Sequence, residues 1–176
     1  MKPTMFCSVV FGVLLASLSA AWGQAVISPE PYARYQYAAK FVCGPSGENP
    51  LQVVKGTYAT AMNVHNPNLH QNVIFIKKVA VAFPEQKVGP VSWFVKAELG
   101  PDQAFEVDCP EMIRMAASTG TPLPLFLKGF FVILTPMPLD VTAVYTARPT
   151  DGQVSTMDIE VIQPRIMPTP TPTATP

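Results

Sequence analysis

Few residues in this chain have the type and spacing for chemistry, and those few are polar rather than catalytic. His65 and His70, the two histidines, border an Asn-Pro loop that also holds Asn63, Asn66, Asn68 and Asn72. Two imidazoles at that spacing can approach one another across a hairpin, but they make at most half of a zinc site. Neither a cysteine nor a carboxylate stands nearby in sequence to complete it. The loop is better read, through His65, Asn66, Asn68 and His70, as a candidate polar contact surface than as a metal centre. Glu106 and Asp108 share a face of an expected strand, with Asp102 a turn earlier. Paired carboxylates serve glycosidases, but there they flank a substrate cleft at a set separation, which neighbours on one strand rarely achieve. Asp108 fits a helix cap and Glu106 a solvent face. Gly44-Pro45-Ser46-Gly47 has the wrong spacing for a nucleophile elbow, and the chain holds no GxGxxG, no phosphate loop and no HExxH. No catalytic residue, metal ligand or cofactor site is assigned, and the expected protein is not an enzyme.

Sulfur and the two ends of the chain speak to compartment. Lys2 is followed by an uncharged stretch, residues 5–23, with the apolar run Val9-Val10-Phe11-Gly12-Val13-Leu14-Leu15 and small residues Ala21 and Gly23 at its close. That is the layout of a secretory signal peptide over residues 1–23, with the mature chain expected to begin between Gln24 and Val26. Ser8, Ser17, Ser19 and the clustered alanines dilute the stretch as a membrane anchor, and no second apolar run of spanning length follows. Cys7 leaves with the signal, so Cys43 and Cys109 remain, and an oxidising compartment permits them to pair. Closing so long a loop contributes about 4 kcal/mol in the chain-entropy model. Loss of Lys2 leaves 11 basic residues against 12 acidic ones, a net charge of −1. With lysines scattered apart from the pair Lys77 and Lys78, this argues against nucleic acid as a partner. The last residues, M-P-T-P-T-P-T-A-T-P (167–176), form a Pro/Thr tail that cannot build a packed core.

The elements that must position these residues are mostly strands. A short lead at 24–34 precedes a domain at 35–166, where short β-branched and aromatic runs are separated by Pro, Gly and Asn. The pattern predicts an all-β, antiparallel β-sandwich of about eight strands with one short helix. The strands are expected at residues 35–43, 57–65, 73–83, 91–98, 104–107, 126–134, 139–147 and 155–163. Leu139, Val141, Ala143 and Tyr145 alternate with Asp140, Thr142 and Thr146, as do Met157, Ile159 and Val161 with Thr156, Asp158 and Glu160. Asp108, Pro110, Glu111 and Gly120 supply the start and stop signals of the helix, whose Met112, Ile113, Met115 and Ala116 would plug the sandwich. Lys77 and Lys78 point to opposite faces of their strand, so one of them must snorkel or pair with an acid.

The strand at 126–134 is apolar on both faces, with Phe126, Phe130, Val132 and Leu134 on one and Leu127, Phe131 and Ile133 on the other. One face is satisfied by the core. The second needs the short helix or another copy, and since a helix of about three to four turns hides only part of it, Leu127, Phe131 and Ile133 are a candidate interface for a homo-oligomer. The alternative is a central strand covered within the monomer by loops.

The segments Y-A-A-K-F-V-C-G (37–44), Y-A-T-A-M-N-V-H-N-P (58–67), L-K-G-F-F-V-I (127–133) and L-D-V-T-A-V-Y-T-A (139–147) resemble a family of uncharacterised bacterial secreted proteins. The resemblance covers most of the mature domain and implies export without implying an activity. The order of strands around an N-x-x-N loop, with a late apolar strand, is similar to the β-sandwich of the sensory rhodopsin transducer family, which implies an oligomeric binding protein. The expected function is a non-enzymatic, secreted or cell-surface sandwich that binds a protein partner or assembles with itself. The alternative is a small carbohydrate- or ligand-binding module using loop asparagines with Trp93, Phe94 and Tyr58. A hydrolase without a recognisable motif comes third.

Overall fold

The computed structural model describes residues 27–29, 32, 34–47, 53–149 and 156–168. The expected signal peptide, its cleavage point and the Pro/Thr tail beyond residue 168 lie outside the described residues. In chain order the elements are β1 Tyr35–Pro45, β2 Gly56–His65, β3 Val73–Ala82, β4 Val88–Val91, β5 Val95–Leu99, β6 Ala104–Val107, α1 Cys109–Ala117, β7 Leu127–Thr135, β8 Asp140–Pro149, β9 Thr156–Val161 and β10 Arg165–Ile166. The fold is all-β and antiparallel with one short helix, as the alternation predicts. Among the described residues no helix is long and apolar enough to cross a membrane.

The strands form two layers that share β1. In the first layer β7 lies between β3 and β1, and both β4 and β5 continue along the outer side of β3. In the second layer β2 lies between β6 and β8, and β9 closes the far edge. Along residues 35–43 β1 pairs with β7, and at Gly44 and Pro45 it pairs with Tyr58 and Thr57 of β2. A strand that serves two sheets must turn a corner between them. Gly44 makes this turn with φ +93°, and a Cβ there would sit 2.1 Å from the Leu125 carbonyl oxygen, so only glycine fits.

The fork where the layers part is held by side chains. Opposite Val42 the β1–β2 ladder has opened, and the Thr60 hydroxyl fills the gap. It accepts from the Val42 N–H at 3.0 Å and donates to the Val42 carbonyl at 3.1 Å. The Thr60 N–H donates to the sulfur of Cys109 at 3.2 Å. Beside it Cys43 and Cys109 are joined in a disulfide with Cα atoms 5.6 Å apart, the pairing expected of the two mature cysteines.

The core fills the space between the layers. Tyr37, Phe41, Phe75, Phe131, Met62 and Ile133 are all 1% exposed or less. Phe75 of β3 stacks on Phe105 of β6 with ring centres 5.6 Å apart. The Tyr37 hydroxyl both donates to the Leu139 carbonyl and accepts its N–H, each at 2.8 Å, tying β1 to the start of β8. These contacts cross from one sheet to the other, which is the sandwich arrangement.

Helix α1 closes the core at one side. Asp108 caps it by accepting the Glu111 N–H, Pro110 stands in its first turn, and Met112, Met115 and Ala116 are buried. Ile113, expected to join that plug, is instead 38% exposed. Lys77 is buried and lies 3.5 Å from Glu111 of this helix with its ammonium over the Phe105 ring, so of the two outcomes open to it the paired one holds.

Three further expectations are corrected. Met157, Ile159 and Val161, expected on the covered face of a half-buried strand, are 70%, 60% and 63% exposed, because β9 closes the far edge of the second layer beyond the core. The candidate interface residues Leu127, Phe131 and Ile133 are each 1% exposed and belong to the core, so they cannot meet a partner. They lie in β7, a central strand apolar on both faces, and alternation there cannot tell inside from outside. Phe130, on the opposite face, is 47% exposed. The strand expected at 91–98 is divided. Ser92 meets Val79 and Val95 meets Lys77, which leaves Trp93 and Phe94 together opposite the single residue Lys78. This two-against-one mismatch is a β-bulge.

Replacing Thr60 by valine keeps its shape but leaves both Val42 backbone groups without a partner, so urea unfolding should show a loss of about 2 kcal/mol. Thr60→Ser should retain most of that stability. Equal midpoints for the wild type and Thr60→Val would refute the role given to this hydroxyl.

Candidate functional site

Two places gather the residues with chemical potential, and their character differs. At one end of the sandwich the Asn-Pro loop folds against the turn between β5 and β6. Asn66 is fully buried, and its amide donates to the carbonyls of Gln71 at 2.8 Å and Gly100 at 2.9 Å. Its side-chain oxygen accepts the Asn68 N–H at 3.1 Å, and its own N–H donates to Gln103. Asn68 in turn accepts the N–H groups of His70 and Gln71, each at 2.9 Å. The expectation that Asn66 lies on a contact surface is corrected: every polar group of its side chain is used inside the loop. Asn68 builds the same turn, while His70 is exposed.

The two histidines do not act together. Nδ1 of His65 lies 3.0 Å from Asp140 and Nε2 lies 3.0 Å from Asp102, so both ring nitrogens are engaged by carboxylates. Asp102 reaches the ring from a turn at φ +55°, its N–H donating to the Asn68 carbonyl, and Asp140 comes from the first residue of β8. Sequence distance hides both partners. The hydrogen bonds from Asp140 first and Asp102 second hold the imidazole above its ordinary value of 6.5. The cluster is an exposed clamp between the β5–β6 turn and β8, and among the described residues no three His, Cys, Asp or Glu side chains converge as a metal site.

The second place is concave. A cleft of about 950 Å³ opens where the bulged edge strand passes α1. The edge supplies Val91, Ser92, Trp93, Phe94, Val95 and Lys96, and neighbouring β3 supplies Lys78. Arg114 and Met115 of the helix, with Ser118 after it, form the opposite wall, and Ile27 and Pro29 of the lead lie alongside. The bulge explains the aromatic content, because the extra residue turns side chains of an edge strand out of their regular alternation. Trp93 is 61% exposed, unusual for the largest apolar side chain. The Lys78 ammonium stands 4.6 Å from the centre of the Phe94 ring. Arg114 is hydrogen-bonded through Nε and Nη2 to Glu111. Burial pushes the Glu111 carboxyl up, but the Arg114 bonds and the Lys77 charge outweigh it and hold the group below its ordinary value.

The remaining candidates are dispersed. Glu106 opposes Asn63 across β2 and β6 on an exposed position, while Asp108 is spent on the helix cap. Tyr58 packs edge-on against Phe126 with ring centres 5.7 Å apart, away from the cleft. Sequence reasoning picks out Trp93 and Phe94 for their rings but misses Lys78, Lys96 and Arg114 as their neighbours. A bulge and a helix from different stretches bring them together, and no local pattern records that.

The chain matches no known protein-family model, and no curated protein matches it either. A crystal structure of the Thermotoga maritima protein 1070 is similar over 77% of this chain and 97% of that one, at 9% identity and a TM-score of 0.48. A likeness that slight transfers neither an activity nor a partner.

The His65 clamp has a definite pH signature. A folded-state value above 6.5 means the protonated clamp contributes its full stability below the unfolded value, and loses it as pH rises through the folded one. In an NMR titration of the ring protons the His65 midpoint should lie above about 6.5, and Asp140→Asn and Asp102→Asn should each lower it. A midpoint indifferent to both substitutions would contradict the clamp.

Proposed function

We propose that the protein is a non-enzymatic binding protein of the extracytoplasmic space and that its binding site is the cleft beside the Trp93–Phe94 bulge. The observation that carries this reading is the cleft itself: about 950 Å³, with an exposed tryptophan and three cationic side chains on its lining. Ligand sites are typically concave, predominantly apolar and aromatic, with a few placed polar groups, and this one has that composition. Location outside the cytoplasm is supported by the signal-like first residues and by the Cys43–Cys109 disulfide. A non-catalytic role is supported by the dispersal of the carboxylates and by the histidine's commitment to its two aspartates, which leave the cleft, among the described residues, without a carboxylate or an imidazole on its lining.

The reading favours ligand capture over the polar loop as the contact surface, because Asn66 and Asn68 are consumed in building that loop. It also moves any partner contact away from Leu127, Phe131 and Ile133. Solvent-facing apolar residues on strands include Phe130 on the outer face of β7 and Met157, Ile159 and Val161 of β9.

Anilinonaphthalenesulfonate, a dye with an aromatic body and one negative charge, suits such a cleft and reports its own binding by fluorescence. One dye per chain should bind, and the double variant Val91→Glu with Val95→Glu should weaken it by about tenfold or more. Both positions are exposed, so circular dichroism and the disulfide mass should match the wild type. Dye binding unaffected by the two carboxylates would place the site elsewhere and overturn the reading.

A further inference from the structure

Resting on the cleft as the binding site, we infer that its ligand is a free anionic amphiphile, a single apolar chain ending in a carboxylate of the fatty-acid type. The argument comes from what the lining offers and what it withholds. Val91, Val95 and Ile27 line the same cleft as the exposed Trp93 and give it an aliphatic and aromatic character, with the largely buried Met115 contributing at the helix wall. Lys78, Lys96 and Arg114 present positive charge, and among the described residues no aspartate or glutamate lines the cleft. A neutral apolar ligand would strip water from these cations without replacing it, which is unfavourable, whereas a carboxylate restores their partner.

The same inventory disfavours a sugar. Hydroxyl-rich ligands need side-by-side acceptors and donors, commonly from Asn, Gln, Asp or Glu, and among the described residues none of these lines the cleft. The two serine hydroxyls of the lining are already engaged. Ser92 Oγ accepts the Val79 N–H at 2.9 Å and donates to the Trp93 carbonyl, and Ser118 Oγ donates to the Met115 carbonyl at 2.7 Å. What is left to meet a ligand is apolar surface and positive charge.

The cations are not equally committed. Arg114 shares its charge with Glu111, and Lys78 rests over the Phe94 ring. Lys96, on an exposed position of β5, has no carboxylate partner among the described residues. Lys78 and Lys96 are therefore the pair that should select for the anionic headgroup. Cleavage at the expected position leaves Ile27 and Pro29 in the mature chain, and it removes Trp22, so Trp93 becomes the sole tryptophan and its fluorescence reports on the cleft directly.

The test uses the exported, disulfide-bonded protein and titrates laurate, dodecanol and dodecyltrimethylammonium, each below its aggregation threshold, against Trp93 fluorescence and calorimetry. Laurate should bind saturably at one site, and affinity should rise by about fourfold for each methylene added from octanoate to laurate. Dodecanol and the cationic amphiphile should bind weaker by about tenfold or more. Lys78→Glu with Lys96→Glu should remove that preference, and the neutral Lys78→Gln with Lys96→Gln should likewise abolish it if the charge-reversed protein does not fold. Equal affinity for laurate and dodecanol would overturn the anionic headgroup. Preference for uronate oligosaccharides, or binding to anionic vesicles without binding of monomeric laurate, would overturn the amphiphile while the dye still locates the site. Failure of both laurate and the dye would overturn the cleft reading itself.

Discussion

The corner in β1 is the constraint on which the rest of the molecule depends. One strand supplies hydrogen bonds to β7 along most of its length and to β2 at its end, so its backbone groups near Val42 lose regular partners where the sheets part. Buried backbone groups without partners are costly, and the Thr60 hydroxyl, which accepts from one and donates to the other, resolves both. Gly44 allows the turn itself, and the disulfide from Cys43 fastens the fork to the first residue of α1. Three residue types with no chemistry of their own in common thus act at one point.

The consequence reaches the cleft through the helix. Cys109 begins α1, so the disulfide fixes where the helix starts, and the Asp108 cap fixes its direction. Met112, Met115 and Ala116 then face the core, and the edge of Met115 together with Arg114 forms a wall of the cleft. The opposing wall depends on a different local defect, the extra residue in the edge strand that leaves Trp93 and Phe94 opposite Lys78. Edge strands are prone to pairing with other chains, and bulges and proline interrupt such pairing. Pro90 stands in β4 and the register shifts again between Ala80 and Ala82. The same irregularity that interrupts the edge lines the cleft.

How much of this is legible in the sequence depends on the range over which each feature is encoded. Alternation within a strand is local, and it locates the strands and the faces of β8. The D-x-P-E pattern of the helix start is local too, and Asp108 caps as expected. The disulfide is legible by elimination, since only two cysteines remain beyond the expected signal. What fails is of longer range or ambiguous in principle. The pattern sends Leu127, Phe131 and Ile133 outward because β7 is apolar on both faces, and only its position between β3 and β1 decides which face meets the core. His65 resembles half a metal site because Asp102 and Asp140 are far from it in sequence. Asn66 resembles a surface group because asparagine beside proline marks a turn, and the pattern does not say that the turn is folded inward over Gly100. Trp93 is visible as a ring, but its cationic neighbours come from three elements.

Hydrogen exchange on the oxidised and the reduced protein tests most directly whether the corner governs the cleft. If the disulfide fixes α1 against β1, reduction should strip protection from α1 and from the β4–β5 edge together, while the centre of β2 and β8 keeps most of its own. Protection of α1 and the edge that is unchanged by reduction would contradict the dependence of the site on the corner.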